Sequence, residues 1–223
     1  MSSLIQRLKH PVVRLLSVFT GPRILYGWRN AGGAYCPHTR VSTHTCFEGV
    51  EGLTLGDHVF IGHFNRIDGS NGLVIEEGCQ ITNYASILTH SSHRSVRAMG
   101  RRYVREAKPL GYVRRATRIG AYSFIGPHSV IAPGAQIGKG VIVQGYSFVA
   151  GEVPDFAIVG TKVPGKRAVI MGDTRDLDRA LLQRHPELHD LYAHWAGKDN
   201  LRRALQSTGS RTDTRPESDT DRP

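Results

Sequence analysis

Two histidines stand where a regular pattern in this sequence stops. His90 lies in the stretch ILTHSSH, at the end of the pattern, and His93 follows it closely. An imidazole has an unperturbed pKa of about 6.5, so it can take up and return a proton near neutral pH. A hydroxyl group is a poor nucleophile until such a base removes its proton. His90 and His93 are therefore candidates for general acid–base chemistry.

The pattern that breaks off at His90 has a period of six residues, and it resumes later in the chain. It is clearest in the blocks IGAYSF, IGPHSV, IAPGAQ, IGKGVI, VQGYSF and VAGEVP, which begin at Ile119 and end at Pro154. Each block starts with an aliphatic residue and carries a small or slim residue four positions later. A helix needs a period near 3.6 and a simple strand a period of two. A period of six predicts an all-β chain folded as a parallel β-helix.

The pattern is also present earlier in the chain. Its aliphatic or aromatic heads there are Val41, Phe47, Leu55, Ile61, Ile67, Ile75, Ile81 and Ile87. Two extra residues intervene near Leu73–Val74. Cys79 occupies a slim position and is predicted to be a buried small hydrophobic residue. Gly56, Gly62 and Asp68 directly follow their heads, where a tight corner favours small residues.

A long insertion interrupts the repeat between Ile87 and Ile119. The stretch 90–118 is dense in arginine, with only Glu106 to offset the positive charges. These arginines are Arg94, Arg97, Arg101, Arg102, Arg105, Arg114, Arg115 and Arg118. A long insertion in a regular repeat is typical of a functional face, and this composition favours an anionic ligand over a loop that only aids solubility.

These motifs resemble the hexapeptide-repeat acyltransferases with a left-handed β-helix, especially the O-acetyltransferases of sugars and bacterial surface polysaccharides. The resemblance covers about residues 37–167 and is greatest in the stretch 124–164. It implies a left-handed coil built from three blocks per turn, a homotrimer, and acetyl-CoA as the acyl donor without a metal ion. The implied acceptor is a hydroxyl of a sugar or glycan, and the arginine-rich insertion favours an anionic one.

The resemblance also implies roles for individual residues. The family's catalytic histidine lies at the start of such a loop, so His90 is expected to be the base. His93 could instead be the base, orient His90 or bind the acceptor. Asn65 matches an asparagine near the reacting centre, although a corner-stabilising role is equally open. The positive charge of the insertion next to His90, and not the resemblance, is the reason to expect that Arg94, Arg101 and Arg102 bind the acceptor.

Five residues match positions that contact the coenzyme in the family. Gly145 and Ala150 correspond to backbone positions along the pantetheine arm, and Lys166 and Arg167 to the basic segment that meets the phosphates. Phe124 stands where many relatives carry tryptophan, and Gly151 where some carry lysine.

Other functions remain open at this stage. N-acetylation of an amino sugar would use the same base and groove. Two sets of zinc ligands can be drawn from the sequence, Cys36, His38, His44 and Cys46, or His58 and His63 with His90. The second set resembles that of γ-class carbonic anhydrases, but with the histidines in a different order. Nucleic-acid binding is not expected, because only Tyr103 and Tyr112 interleave with the arginines and no known motif is present.

Length and composition frame the domain organisation. The chain has 223 residues and a formal net charge of +10, which favours an anionic partner. Three cysteines without a CxxC motif favour a reducing, cytoplasmic setting. We expect a capping segment over 1–34, the β-helix over 35–167, helices over 168–206 and a disordered tail over 207–223. Residues 1–20 could instead form a basic amphipathic helix on the inner face of a membrane.

Overall fold

Three mainly parallel sheets surround one column of aliphatic side chains in this computed structural model. The structure describes residues 20–163 and 165–206. The expected N-terminal amphipathic segment, apart from its last residue, and the expected C-terminal tail lie outside the described residues. The chain forms two compact units, Met1–Thr174 and Arg175–Pro223.

Sheet I has eight strands: β1 (Ile24–Arg29), β2 (Tyr35–Ser42), β5 (Phe60–Ile61), β8 (Gln80–Ile81), β13 (Phe124–Ile125), β16 (Ile142–Val143), β19 (Ala157–Gly160) and β20 (Val169–Asp173). Sheet II has five: β3 (Cys46–Glu48), β6 (Arg66–Asp68), β9 (Ser86–Ile87), β14 (Val130–Ile131) and β17 (Phe148–Val149). Sheet III also has five: β4 (Leu53–Leu55), β7 (Leu73–Ile75), β12 (Thr117–Ile119), β15 (Gln136–Ile137) and β18 (Glu152–Val153).

The chain visits the three sheets in a fixed cycle. Each strand from β5 to β9 and from β12 to β19 pairs in parallel with the strand of the preceding coil. Val130 pairs with Phe148, eighteen residues further on, which is three blocks of six. This order confirms the predicted hexapeptide coil with parallel sheets.

The block heads form the core. Ile61, Ile67, Ile75, Ile81 and Ile87 are fully buried, and the heads from Ile119 to Val143 are equally inaccessible. Each buried aliphatic side chain of this size contributes about 1.5–3 kcal/mol. Cys79 is buried as predicted, and burial raises the pKa of its thiol to about 12.

One corner of the coil is wider than the others. Sheet II leads into sheet III there, and Phe47 lies eight residues before Leu55, as Ile67 does before Ile75. The long insertion leaves the coil at this same corner, between β9 and β12. We call the stacked turns 48–53, 68–73 and 87–117 the wide corner.

The insertion has its own secondary structure. Its ends pair as an antiparallel ladder of β10 (His90–Ser91) and β11 (Val113–Arg114). Between them lie helix α1 (His93–Met99) and a 3-10 helix over Gly100–Arg105. A second short 3-10 helix spans Val50–Gly52 at the wide corner.

The described part of the expected capping segment closes the first coil. Strand β1 pairs antiparallel with β2. The side chain of Asn30 accepts a hydrogen bond from the Leu55 amide at 2.9 Å and donates one to the Leu55 carbonyl at 2.8 Å. Asn30 thereby pairs the backbone of β4, the edge strand of sheet III.

The helical region begins later than residue 168. Residues Val169–Asp173 form β20, which pairs antiparallel with β19 and shields that edge of sheet I. Helices α2 (Thr174–Arg184), α3 (His189–Ala196) and α4 (Lys198–Leu205) follow, with a 3-10 helix over Pro186–Leu188. The aliphatic and β-branched residues Val169 and Ile170 favour a strand where an edge is available. Of the helices that the structure describes, none has the length and apolar character to cross a membrane.

Two adjacent residues of β14 test the core. Ile131 is fully buried, whereas its neighbour Val130 points out of the coil and is half-buried. Ile131→Ala should lower the free energy of unfolding by about 2–5 kcal/mol, because a cavity replaces the lost contacts. Val130→Ala should lower it by about 1 kcal/mol or less. Urea unfolding followed by circular dichroism measures both, and equal losses would contradict this inward–outward assignment.

Candidate active site

His90 lies at the wide corner beside a buried carboxylate. Its Nδ1 atom is 2.6 Å from Oδ2 of Asp68, which lies one coil earlier at the end of β6. The Asp68 side chain is fully buried, and the His90 side chain is 23% exposed. The contact is close but not aligned as an ideal hydrogen bond. Such alignment commonly improves only when substrate binds.

Three hydrogen bonds to Asp68 keep its carboxylate charged. Oδ2 accepts hydrogen bonds from the amide and the hydroxyl of Thr89, both at 2.8 Å, and Oδ1 accepts one from the Ser70 amide at 2.9 Å. Burial alone would raise the pKa of this carboxyl, but the bonds from Ser70 and Thr89 outweigh it and lower the pKa to about 2. Asp68 therefore presents a negative charge to His90 at neutral pH.

The insertion returns to cover the His90 ring. His90 in β10 pairs with Arg114 in β11, so the two ends of the insertion meet at the histidine. The ring of Tyr112 stacks on the imidazole at 5.6 Å between centroids. The Arg114 guanidinium lies 4.3 Å from the centre of the Tyr112 ring. This stack brings a positive charge close to His90.

His93 has a different setting. It is the first residue of α1, is exposed, and has its Nδ1 atom 2.7 Å from the hydroxyl of Ser91. The group beside His93 is therefore a neutral hydroxyl, in contrast to the carboxylate beside His90.

The arginines of the insertion are exposed. Arg102 forms an ion pair with Glu106 at 3.3 Å, and Arg118 one with Glu76 at 2.5 Å. Arg94 and Arg101 have no ion-pair partner within the described ranges. The insertion therefore presents positive charge that its own acidic residue does not neutralise.

Asn65 serves the corner of its coil. Its side-chain amide donates to the Gly62 carbonyl at 3.0 Å, and its oxygen accepts from the Ala85 amide at 2.7 Å. The side chain is buried. Of the two roles open from the sequence, these contacts support the structural one.

The expected coenzyme residues fall into separate places. Ala150 and Arg167 line one cavity of about 420 Å³, together with Val149, Val153, Val159 and Ile170. The Arg167 guanidinium lies over Gly151, where an added Cβ would come within 2.8 Å of it. Phe124 points out of sheet I and is 40% exposed. Lys166 is exposed, and Gly145 lies in a turn beside Pro127.

Neither zinc set is gathered in the part of the chain that the structure describes. Cys36 instead places its sulfur 3.3 Å from the Leu55 carbonyl, and His63 places Nδ1 2.7 Å from the Ser42 hydroxyl. The three cysteines are free.

Sequence reasoning missed the role of Asp68. The residue was interpreted only as a small side chain at a corner, yet it is the carboxylate that faces His90. The sequence did contain an indication of this role. The two extra residues near Leu73 come in the turn after Asp68, and the insertion leaves the coil at the same corner one coil later.

Comparison with known proteins supports the repeat. Residues 116–151 match the family model described as bacterial transferase hexapeptide (six repeats). Among curated protein sequences, none matches the chain.

Several solved structures are similar to parts of the chain. A hexapeptide-repeat acetyltransferase from Vibrio cholerae is 22% identical over 58% of this chain and 70% of its own, with a TM-score of 0.45. A maltose O-acetyltransferase from Clostridium difficile is 14% identical over 59% of this chain and 64% of its own, with a TM-score of 0.46. The N-acyltransferase AntD from Bacillus cereus is 16% identical over 67% of this chain and 89% of its own, with a TM-score of 0.49.

The charge on Asp68 predicts a pH-dependent contribution to stability. Its pKa of about 2 in the folded chain lies below the value of about 3.9 for an unfolded aspartate. The contribution is therefore present above about pH 4 and is lost as the pH falls toward 2, and a shift of this size corresponds to about 2–3 kcal/mol. Asp68→Asn should be destabilised by about this amount at pH 7 and by less at pH 3.

Urea unfolding at the two pH values measures the difference. Asp155→Asn is the matched control, because Asp155 is exposed and also accepts a backbone hydrogen bond, from the Lys139 amide at 3.0 Å. An Asp68→Asn loss that is the same at pH 3 and pH 7 would contradict a charged, hydrogen-bonded carboxylate.

Proposed function

We propose that this chain, which carries the bacterial transferase hexapeptide repeat over residues 116–151, is an acyltransferase. It transfers an acetyl group from acetyl-CoA to a hydroxyl of a sugar or glycan. The observation that carries this proposal is the pairing of His90 with the buried carboxylate of Asp68 at 2.6 Å, at the edge of an exposed insertion.

His90 acts as the general base. Its Nδ1 atom faces Asp68, so this nitrogen carries the hydrogen and Nε2 is left to accept a proton. Nε2 takes the proton of the acceptor hydroxyl as the hydroxyl oxygen forms its bond to the acyl carbon. When the bond between that carbon and the thiol sulfur breaks, His90 returns the proton to the sulfur.

Asp68 is a positioning residue. It holds the imidazole in one orientation and stabilises the positive charge that the ring gains on accepting a proton. The hydrogen bonds from Thr89 and Ser70 in turn hold Asp68. Because Thr89 directly precedes His90, the same hydrogen bond fixes the backbone from which the base extends.

Acetyl-CoA is the proposed donor, and its thioester supplies the electrophilic carbonyl carbon. One of the similar structures, from Vibrio cholerae, holds acetyl-CoA, and that of AntD holds 3-hydroxybutyryl-CoA. In this chain, the cavity of about 420 Å³ combines mainly apolar walls with one cationic side chain, Arg167, and one acidic side chain, Glu152. Apolar walls suit a pantetheine arm, and a guanidinium suits a phosphate.

The acceptor is proposed to be anionic, such as a glycan that bears uronic acids or phosphates. The exposed arginines of the insertion support this, as does Arg114, which stacks on the tyrosine that covers His90. Charges placed around a cleft raise the local concentration of an oppositely charged substrate.

The same proposal includes a left-handed coil and a homotrimer. A β-helix presents open faces, and a neighbouring subunit would supply the second wall of the coenzyme groove. A reducing cytoplasmic compartment completes this picture of an enzyme that modifies surface glycans, with residues 1–20 capping the coil or, alternatively, contacting the inner face of the membrane.

Replacing the proposed base should remove most activity. His90→Ala should lower kcat by about 10²–10⁴, because nothing else in the proposal accepts the hydroxyl proton. His93→Ala is the matched control and should chiefly raise the acceptor KM. The assay follows release of the CoA thiol from acetyl-CoA with oligosaccharides of uronic acids, neutral sugars and amino sugars, and the melting temperature verifies folding.

Two results would count against this assignment. If His93→Ala abolishes turnover and His90→Ala retains most of it, the roles are exchanged. If neither variant loses activity, the chain is not an acyltransferase with a histidine base.

Charge reversal in the insertion tests the class of acceptor. Arg101→Glu with Arg102→Glu should raise the KM for an anionic acceptor about tenfold or more and reduce the dependence of its KM on salt. The KM for acetyl-CoA should change little. Arg202→Glu with Arg203→Glu is the control, because it changes the net charge by the same amount away from the insertion. Arg202, like Arg102, forms an ion pair with an acidic neighbour, Asp199 at 2.8 Å. A change in the acetyl-CoA KM instead would assign the insertion to the coenzyme phosphates.

A further inference from the structure

Three potential metal ligands converge at a different corner of the coil. Nδ1 of His38 is 2.8 Å from Oδ2 of Asp57, and Nε2 of His58 is 3.9 Å from the same oxygen. One ligand atom from each of the three side chains lies within 4.8 Å of the others. Such a group of two imidazoles and a carboxylate is a ligand set that divalent transition metals bind.

The fold holds these residues together. His38 lies in β2, and Asp57 and His58 lie in the next coil, in the turn between β4 and β5. Oδ1 of Asp57 accepts a hydrogen bond from the His38 amide at 2.8 Å, which joins the two coils at this point. The Asp57 carbonyl accepts another from Gly78, one coil further on, at 3.0 Å. The coil on one side therefore holds the Asp57 carboxylate, and the coil on the other side holds the Asp57 backbone.

The two imidazoles are parallel. Their centroids are 4.5 Å apart and their planes differ by 1°. Their side chains are 62% and 56% exposed, so both rings can rotate toward a shared ion. Ligand atoms about 2.0–2.1 Å from a tetrahedral zinc ion lie roughly 3.3 Å apart, so only a small rotation of exposed rings is needed.

A cavity of about 560 Å³ adjoins the group. Both histidines line it, along with Tyr26, Arg40, Glu77 and Tyr122. Three protein ligands leave at least one coordination position of a zinc-like ion open. The cavity offers space for a water molecule or a small ligand at that position, and Glu77 offers a second carboxylate on its wall.

We propose that His38, Asp57 and His58 bind one divalent transition-metal ion, with zinc as the representative. The site is separate from the His90 centre, since it lies where sheet III leads into sheet I and not at the wide corner, and it does not depend on the proposed acyltransferase activity. The competing explanation is an ion pair between His38 and Asp57 that only joins two coils. That explanation, together with the stacking of His58 on His38, predicts no affinity for a metal ion, so metal binding distinguishes the two.

Titration of the untagged full-length chain with Zn²⁺ tests the site, after dialysis against a chelator. Calorimetry should show a site of about one equivalent per chain, and Mg²⁺ should not compete because it prefers oxygen ligands. His58→Asn should weaken Zn²⁺ binding by about 10- to 100-fold or more. When Co²⁺ is added in place of Zn²⁺, the unmodified chain should show the visible absorption of protein-bound Co²⁺, and His58→Asn should not. Asparagine is chosen because His58 has a φ of 58°, a left-handed conformation that asparagine tolerates.

His128→Asn is the matched control. His128 has a φ of 57° and is also stacked on a neighbouring ring, that of Tyr146 at 4.8 Å. This variant should bind Zn²⁺ as the unmodified chain does. His38→Gln, in a strand with ordinary backbone angles, provides a second loss-of-binding variant should His58→Asn fold poorly. Equal Zn²⁺ affinity of His58→Asn, His38→Gln and His128→Asn, or no Zn²⁺ binding by the unmodified chain at about 100 μM, would overturn the proposal.

Discussion

The column of buried aliphatic side chains constrains everything else in the β-helix. Each inward residue is in register with the inward residue of the next coil. Ile81 pairs with Ile125 in this way, and Ile125 pairs with Val143. Close packing tolerates little change in volume or register along such a column. Any residue beyond the regular number must therefore leave the coil at a corner, where it does not disturb the stack.

The wide corner follows from this constraint. Its extra residues create room for a buried carboxylate, and an unpaired buried charge is unfavourable by several kcal/mol. Thr89 and Ser70 supply the hydrogen bonds that make the Asp68 carboxylate stable there. The polar contacts of the corner and the orientation of His90 thus form one arrangement, in which a single carboxylate satisfies a structural requirement and faces a titratable ring.

The sequence was sufficient for the repeat but not for the contacts between coils. The heads such as Ile119 and Ile131, and the burial of Cys79, follow from a period that can be counted. The partnership of Asp68 with His90 depends on which residues lie above one another, and the corner lengths between them change that register. For the same reason Asn65 could not be assigned to its corner before the coil was known. Strand β20 was missed because only the edge of sheet I gives that segment a partner.

The pairing of His90 with Arg114 closes the insertion at its base. Everything between these two residues lies outside the column and outside the three sheets, while both ends remain fixed by the ladder of β10 and β11. The insertion can consequently vary in length and sequence without altering the coil. It is a graftable module: under the proposed function, a different insertion would present a different acceptor-binding surface on the same scaffold.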